Sequence, residues 1–149
     1  MKMRDVLNAK DIKYRKPITI NPDESVLSAI RKLAENDRGA IPVCNDDGTL
    51  VGIITERDIL RKCFSQSGDF INNRIQGVMT ETVVIALPDD NVDYAIDVMK
   101  KKRIRHIPVM EGQQLMGMIS MRDIMGFQYE ETKAEIRYAY LLARKSRPR

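Results

Sequence analysis

Two stretches of this chain spell the same pattern 66 residues apart. Pro22-Asp23-Glu24-Ser25-Val26-Leu27-Ser28-Ala29-Ile30 answers to Pro88-Asp89-Asp90-Asn91-Val92-Asp93-Tyr94-Ala95-Ile96, and Ala40-Ile41-Pro42-Val43 answers to His106-Ile107-Pro108-Val109. Leu50 to Ile59 then matches Leu115 to Ile124 at a spacing of 65, so one turn is a residue shorter in the second copy. That turn is Asn45-Asp46-Asp47-Gly48 in the first copy and Glu111-Gly112 in the second, both hairpin connections by composition. A repeat of this length makes each copy one supersecondary unit, and the two must share a core.

Each copy reads β-α-β-β-α. A short strand, Ile18-Thr19-Ile20 or Val83-Val84-Ile85, runs into a proline that stops it, and Asp23 or Asp89 is placed to cap the helix that follows. Val26, Ala29, Ile30 and Leu33 recur at spacings of three and four, as do Val92, Ala95, Ile96 and Met99, giving one apolar stripe per helix. Asn36 to Gly39 ends the first helix. Lys100 to Arg103 ends the second and complements its negative terminus, reading as a solvated helix end before a polyphosphate clamp. Ala40–Cys44 then pairs with Leu50–Ile54, and His106–Met110 with Leu115–Ile119, with Pro42 and Pro108 favouring an edge or strand-start position. A second helix opens at Thr55 and at Ser120. The fold class is α/β (α+β): two such units packed as a pseudo-symmetric pair, since one alone leaves a sheet face uncovered. The division is 1–16 as an N-terminal extension outside the repeats, 17–64 and 78–132 as the repeats, 65–77 as a polar connector and 133–149 as a basic C-terminal helix or tail. After Gly126 one long helix is expected to about Leu142, with Tyr129, Ile136, Tyr140 and Ala143 on a loose stripe that needs the module or a second subunit to cover it.

The scarce residues exclude several chemistries. A single histidine, His106, and two cysteines without C-x-x-C spacing, Cys44 and Cys63, suggest neither a zinc site nor a disulfide framework, and both thiols read as reduced small apolar residues in or near the core. Hydrolase and common nucleotide-loop motifs are absent, so an enzyme is the weakest option. Nine methionines read as core filling, and Tyr14, Tyr94 and the C-terminal tyrosines as packing residues. No apolar run approaches the roughly 18 residues of a membrane span, and the first residues have no signal-peptide stretch, which leaves the cytoplasm as the expected location. The net charge is +4, but it belongs to the ends: residues 1–16 sum to +4, residues 133–149 to +5, and the region between to −5.

The most informative words are Gly52-Ile53-Ile54-Thr55-Glu56-Arg57-Asp58 and Gly117-Met118-Ile119-Ser120-Met121-Arg122-Asp123. Each sets a hydroxyl and, three residues on, a carboxylate at a strand-to-helix junction. That is the pattern of a capping box, worth about 1 kcal/mol through the cap. The same geometry suits a nucleotide: the helix N-terminus attracts phosphate, the hydroxyl donates to it, and the aspartate accepts from both hydroxyls of a ribose. Both readings can hold at once.

With its doubled helix starts, Ile-Pro-Val strands and Arg-Asp-Ile junctions, the stretch from Pro17 to Met125 resembles a tandem pair of cystathionine-β-synthase (CBS) domains. The resemblance implies two clefts for adenosine compounds (AMP, ADP, ATP, NAD(H) or S-adenosylmethionine), an energy or redox sensor without catalysis and without metal, a homodimer, and a protein effector still to be found. It places one site at Thr55, Arg57 and Asp58 with Thr82, Val83, Val84, Arg105, His106 and Ile107. The other falls at Ser120, Arg122 and Asp123 with Pro17, Ile18, Gly39, Ala40 and Ile41. Arg105 and His106 can counter a phosphate where the second site has only Gly39 and Ala40, so phosphorylated ligand is expected to bind tighter at Asp58. His106 reads equally as a satisfied structural histidine. Two alternatives stand beside sensing. Basic ends suggest nucleic acid, although no helix-turn-helix, zinc-finger or RNA-recognition signature accompanies them, and a scaffold with decayed clefts would not keep both hydroxyl–aspartate pairs.

Overall fold

The computed structural model describes residues 1–65 and 68–145. Along the chain lie α1 (Met3–Ala9), α2 (Ile12–Arg15), α3 (Val26–Glu35), β1 (Ala40–Cys44), β2 (Leu50–Thr55), α4 (Glu56–Ser65), α5 (Val92–Lys102), β3 (His106–Glu111), β4 (Gln114–Ser120) and α6 (Met121–Lys145). Single 3-10 turns occupy Phe70–Asn72 and Ile75–Gly77. Positions 66 and 67 of the connector and 146–149 of the basic tail lie outside the described residues.

The helices α3 and α5 begin where their apolar stripes begin, but the caps are Ser25 and Asn91, not Asp23 and Asp89. Ser25 Oγ accepts from the Ser28 N–H at 3.1 Å, and Asn91 Oδ1 accepts from the Asp93 N–H at 3.0 Å. An N-cap has to sit directly before the first helical residue for its side chain to reach the second or third N–H, and Asp23 and Asp89 lie two residues too early. The residues just ahead of the caps instead close the entry turns: Glu24 accepts from the Asn21 N–H and Asp90 from the Leu87 N–H. The α5 helix stops on Arg103, left-handed at φ 55°.

Each repeat carries an antiparallel hairpin, β1 with β2 and β3 with β4, bulged at Val43/Cys44 and Val109/Met110. The expected first strands shrink to single parallel rungs, Ile20 against Val43 and Ala86 against Val109. Ile20 donates to the Pro42 carbonyl at 3.1 Å and accepts from the Cys44 N–H at 2.9 Å; Ala86 repeats both bonds with Pro108 and Met110. The next rung back would need an N–H from Pro42 or Pro108, and proline has none.

Two apolar cores result. Ile20, Val26, Ala29, Leu33, Ile41, Val43 and Ile54 form the first with Phe70, Ile75, Val78 and Met79, which come from the expected connector and the start of the second repeat. Ala86, Val92, Ala95, Met99, Ile107, Val109, Ile119 and Ile124 form the second, completed by Met3, Val6 and Leu7 of α1. The two completing segments are counterparts. Val26 donates to the Asn73 carbonyl and Val92 to that of Met1, while Ser25 bridges Arg74 and Asn91 bridges Lys2. Bare backbone at Gly52 and Gly117 receives them: an added Cβ would lie 2.5 Å from Met79 Sδ and 2.6 Å from Leu7 Cδ1. A third cluster, Ala40, Ile53 and Met118 with Val83, joins the repeats.

Several smaller expectations change. Cys44 is buried, and desolvation pushes its thiol up, whereas Cys63 is exposed because α4 buries none of its residues. Tyr94, Tyr129, Tyr138 and Tyr140 are exposed. The last helix starts at Met121 and runs through Gly126, where an added Cβ would meet only open space. Among the described residues no helix is long and apolar enough to cross a membrane.

Candidate functional site

Both strand-to-helix junctions open into one cleft between the repeats, about 1000 Å³ in volume. Each junction is a closed capping box. The Asp58 N–H donates to Thr55 Oγ1 at 3.0 Å while Asp58 Oδ2 accepts from the Thr55 N–H at 3.1 Å. Ser120 and Asp123 make the same pair at 3.1 and 2.8 Å. The first helical N–H is engaged as well, Glu56 donating to the Gly39 carbonyl and Met121 to that of Arg105. Helix-terminal N–H groups are thus already largely spent on the protein itself. Charge for a phosphate has to come from side chains.

The cleft supplies it. Eight Lys and Arg side chains line the space against four carboxylates, although the sequence between the two ends is acidic overall. Thr55, Arg57, Asp58, Thr82, Val83, Val84, Arg105 and His106 of the first expected site line the cleft, as do Gly39, Ala40, Ser120, Arg122 and Asp123 of the second. Four expected residues do not line it. Ile41 and Ile107 point into the two cores, as alternation along β1 and β3 requires with Ala40 and His106 facing the cleft. Pro17 lies against a separate shallow depression with Ile12 and Leu115, and Ile18 lines neither space.

The model for the CBS domain matches residues 9–65 and again 75–130, most of the chain. This chain belongs to the CBS domain family. The mitochondrial CBS domain-containing protein CBSX3 of Arabidopsis thaliana is 32% identical over 118 residues, covering 76% of this chain, which spans 57% of the plant protein. Among solved structures, a CBS-domain containing protein from Agrobacterium tumefaciens superposes with a TM-score of 0.78 at 31% identity, covering 84% of this chain and 91% of its own. The CBS domain pair of protein MJ0100, solved with 5′-methylthioadenosine and S-adenosyl-L-methionine, gives 0.74 at 27% identity over 88% of this chain and 98% of its own.

The two halves of this CBS pair are not electrically alike. Asp58 faces the Thr80 hydroxyl, 3.4 Å from each carboxylate oxygen. Asp123 instead holds the ammonium of Lys10 at 3.0 Å, and Lys10 also donates to the Met118 carbonyl at 2.7 Å. Arg57 donates to the carbonyl of left-handed Arg103 at 3.2 Å, which ties the first junction to the second repeat. Burial first, then the Arg105 charge, hold the His106 imidazole below its usual range; Asp123 opposes them, and Lys10 and Arg57 add to the lowering. His106 is therefore neutral near pH 7, able to donate or accept a hydrogen bond, and is not the counter-charge expected from sequence.

Sequence reasoning missed Lys10, Tyr14, Arg38, Arg61, Thr80, Lys102 and Arg103 on the cleft walls. Arg38 lies 4.8 Å from the centre of the Tyr14 ring and donates to the Tyr14 and Lys13 carbonyls at 3.0 and 3.2 Å. Its Nε is buried without a partner. Only the basic run ending at Arg103 offered a sequence signal, and it reads equally as a helix end.

Proposed function

We propose that this chain is a regulatory CBS pair that binds an adenosine-containing ligand with Asp58 on the ribose and performs no catalysis. The observation that carries the reading is the Asp58 junction. Beyond its capping bond from the Thr55 N–H, the Asp58 carboxylate meets only the Thr80 hydroxyl at long range among the described residues, in a cleft that Arg57, Arg105 and neutral His106 also line and that has room for a nucleotide. Ribose hydroxyls would replace Thr80 on the carboxylate, and Arg57 and Arg105 would meet phosphate as charge-assisted donors. Val83, Val84 and Ala40 offer an apolar wall to a base. The ligands named in the MJ0100 complex share the adenosine core of this proposal. Signalling would follow from linkage, the ligand favouring the arrangement of the pair it binds more tightly, with a protein effector reading the change. Exposed Leu60 and Phe64 on α4, with Met125 and Tyr129 on α6, support a homodimer through these helices.

The test is a melting series with AMP, ADP, ATP, NAD(H) and S-adenosylmethionine. A binder at about 100 times its dissociation constant adds roughly 2.7 kcal/mol of stability. No shift with any of them, together with salt-sensitive retardation of DNA or RNA, overturns this reading in favour of nucleic acid. No response to either class leaves a scaffold.

A further inference from the structure

The repeats differ in one stretch that the symmetry exposes. Eighteen positions separate Lys2 from Ile20, but only twelve separate their counterparts Arg74 and Ala86. The six extra residues hold α2 and begin at the cleft with Lys10. Arg38 clamps this strap through the Tyr14 and Lys13 carbonyls, and Arg15 ties it back to the carbonyls of Asn8 and Lys10. The Lys10 side chain is only 9% exposed, and its ammonium lies on the Asp123 oxygen that also accepts from the Ser120 N–H.

We propose that Lys10 closes the Asp123 subsite to ribose, so that each chain binds one adenosine ligand, at Asp58. This rests on the adenosine reading above and assigns its stoichiometry and the residue that sets it. A ribose diol at Asp58 displaces one long contact from a neutral hydroxyl. At Asp123 it would have to strip a nearly buried ammonium of its counter-charge, which makes that subsite weaker by about a hundredfold or more. The rest of the strap offers no easy retreat, since Arg15 holds its backbone at Lys10 and Arg38 holds it at Lys13 and Tyr14.

Calorimetric titration of the full chain with AMP, and separately with S-adenosylmethionine, tests the assignment. The wild type is expected to take up one equivalent of whichever probe binds, Asp58→Ala none at the concentrations that saturate the wild type, Lys10→Met two, and Lys10→Arg one. Two equivalents in the wild type or one only in Lys10→Met overturns the role of Lys10 and leaves the adenosine reading standing, whereas one retained by Asp58→Ala overturns the role of Lys10 and the placing of ribose on Asp58 together. Absence of binding of AMP, S-adenosylmethionine and the other three ligands of the melting series to the wild type and to Lys10→Met overturns both. If Lys10→Met does not fold, the wild-type and Asp58→Ala titrations decide by themselves.

Discussion

A carboxylate's partners decide what else it can hold. Asp58 and Asp123 have the same sequence neighbours and the same capping bonds, yet one faces a hydroxyl and the other an ammonium. Arg105 lines the cleft without a hydrogen bond or ion pair from its side chain among the described residues, whereas Arg57 already donates to the Arg103 carbonyl. Replacing Arg105 with alanine is expected to weaken AMP about tenfold and to leave adenosine unaffected, the value of a partly exposed charge-assisted bond; paired titrations check it. His106 makes a pH prediction. Its imidazole sits below its ordinary value in the fold, so the unfolded chain binds the proton more readily. Stability therefore rises with pH across the window between the lowered value and about 6.5, and it falls as pH drops through that window. Melting temperature followed from pH 7.5 to 5.5 should decline in the wild type and decline less in His106→Gln.

At the scale of elements, bare backbone and caps determine how the pieces meet. Gly52 and Gly117 leave room for Met79 and Leu7, and a methyl group at either position collides with a buried side chain. Gly52→Ala also brings its Cβ to 3.0 Å from the Thr80 carbonyl, where the backbone cannot yield cheaply. A loss of about 1–3 kcal/mol is expected from the overpacking, read as a shift of the urea midpoint at constant slope. Ser25→Ala removes the α3 cap and should cost about 1 kcal/mol in the same assay. The entry turn of α3 adds an acid-sensitive contact. Although burial raises the Glu24 carboxyl, the Asn21 N–H, the Ser28 hydroxyl and Lys32 together bring it below its ordinary value. Stability from that contact is present above the unfolded value and is lost as pH falls below it.

For the whole molecule, each repeat is completed by a segment the linear pattern assigns elsewhere. The second core depends on α1, whose Met3 and Val6 are almost wholly buried. Met3→Ala is expected to lower stability by about 2–5 kcal/mol, the cost of a large-to-small change in a core, measured by denaturant unfolding. A residue that merely belonged to an outlying extension would show almost nothing. Charge is also sorted at this scale. The region between the basic ends carries an acidic surplus, yet cations from both repeats, joined by Lys10 from the N-terminal segment, outnumber carboxylates on the cleft walls.

The repeat, its two helix stripes, its hairpins and both hydroxyl–aspartate junctions are legible in the sequence, because each depends on residues within a few positions of one another. Thr55 with Asp58 and Ser120 with Asp123 close local boxes that need no distant partner. The counterpart of α1 was not legible. Met3, Val6 and Leu7 share little with Ile75, Val78 and Met79 beyond apolar character, and the strap shifts the two segments out of the 66-residue spacing. Nor was the difference between the two carboxylates, since Lys10 and Asp123 stand 113 positions apart and no periodicity links them. Local patterning determines what each element is. Only the packing of two unequal repeats decides which aspartate faces an ammonium and which a hydroxyl, since charge pairing depends on distance in space and not along the chain.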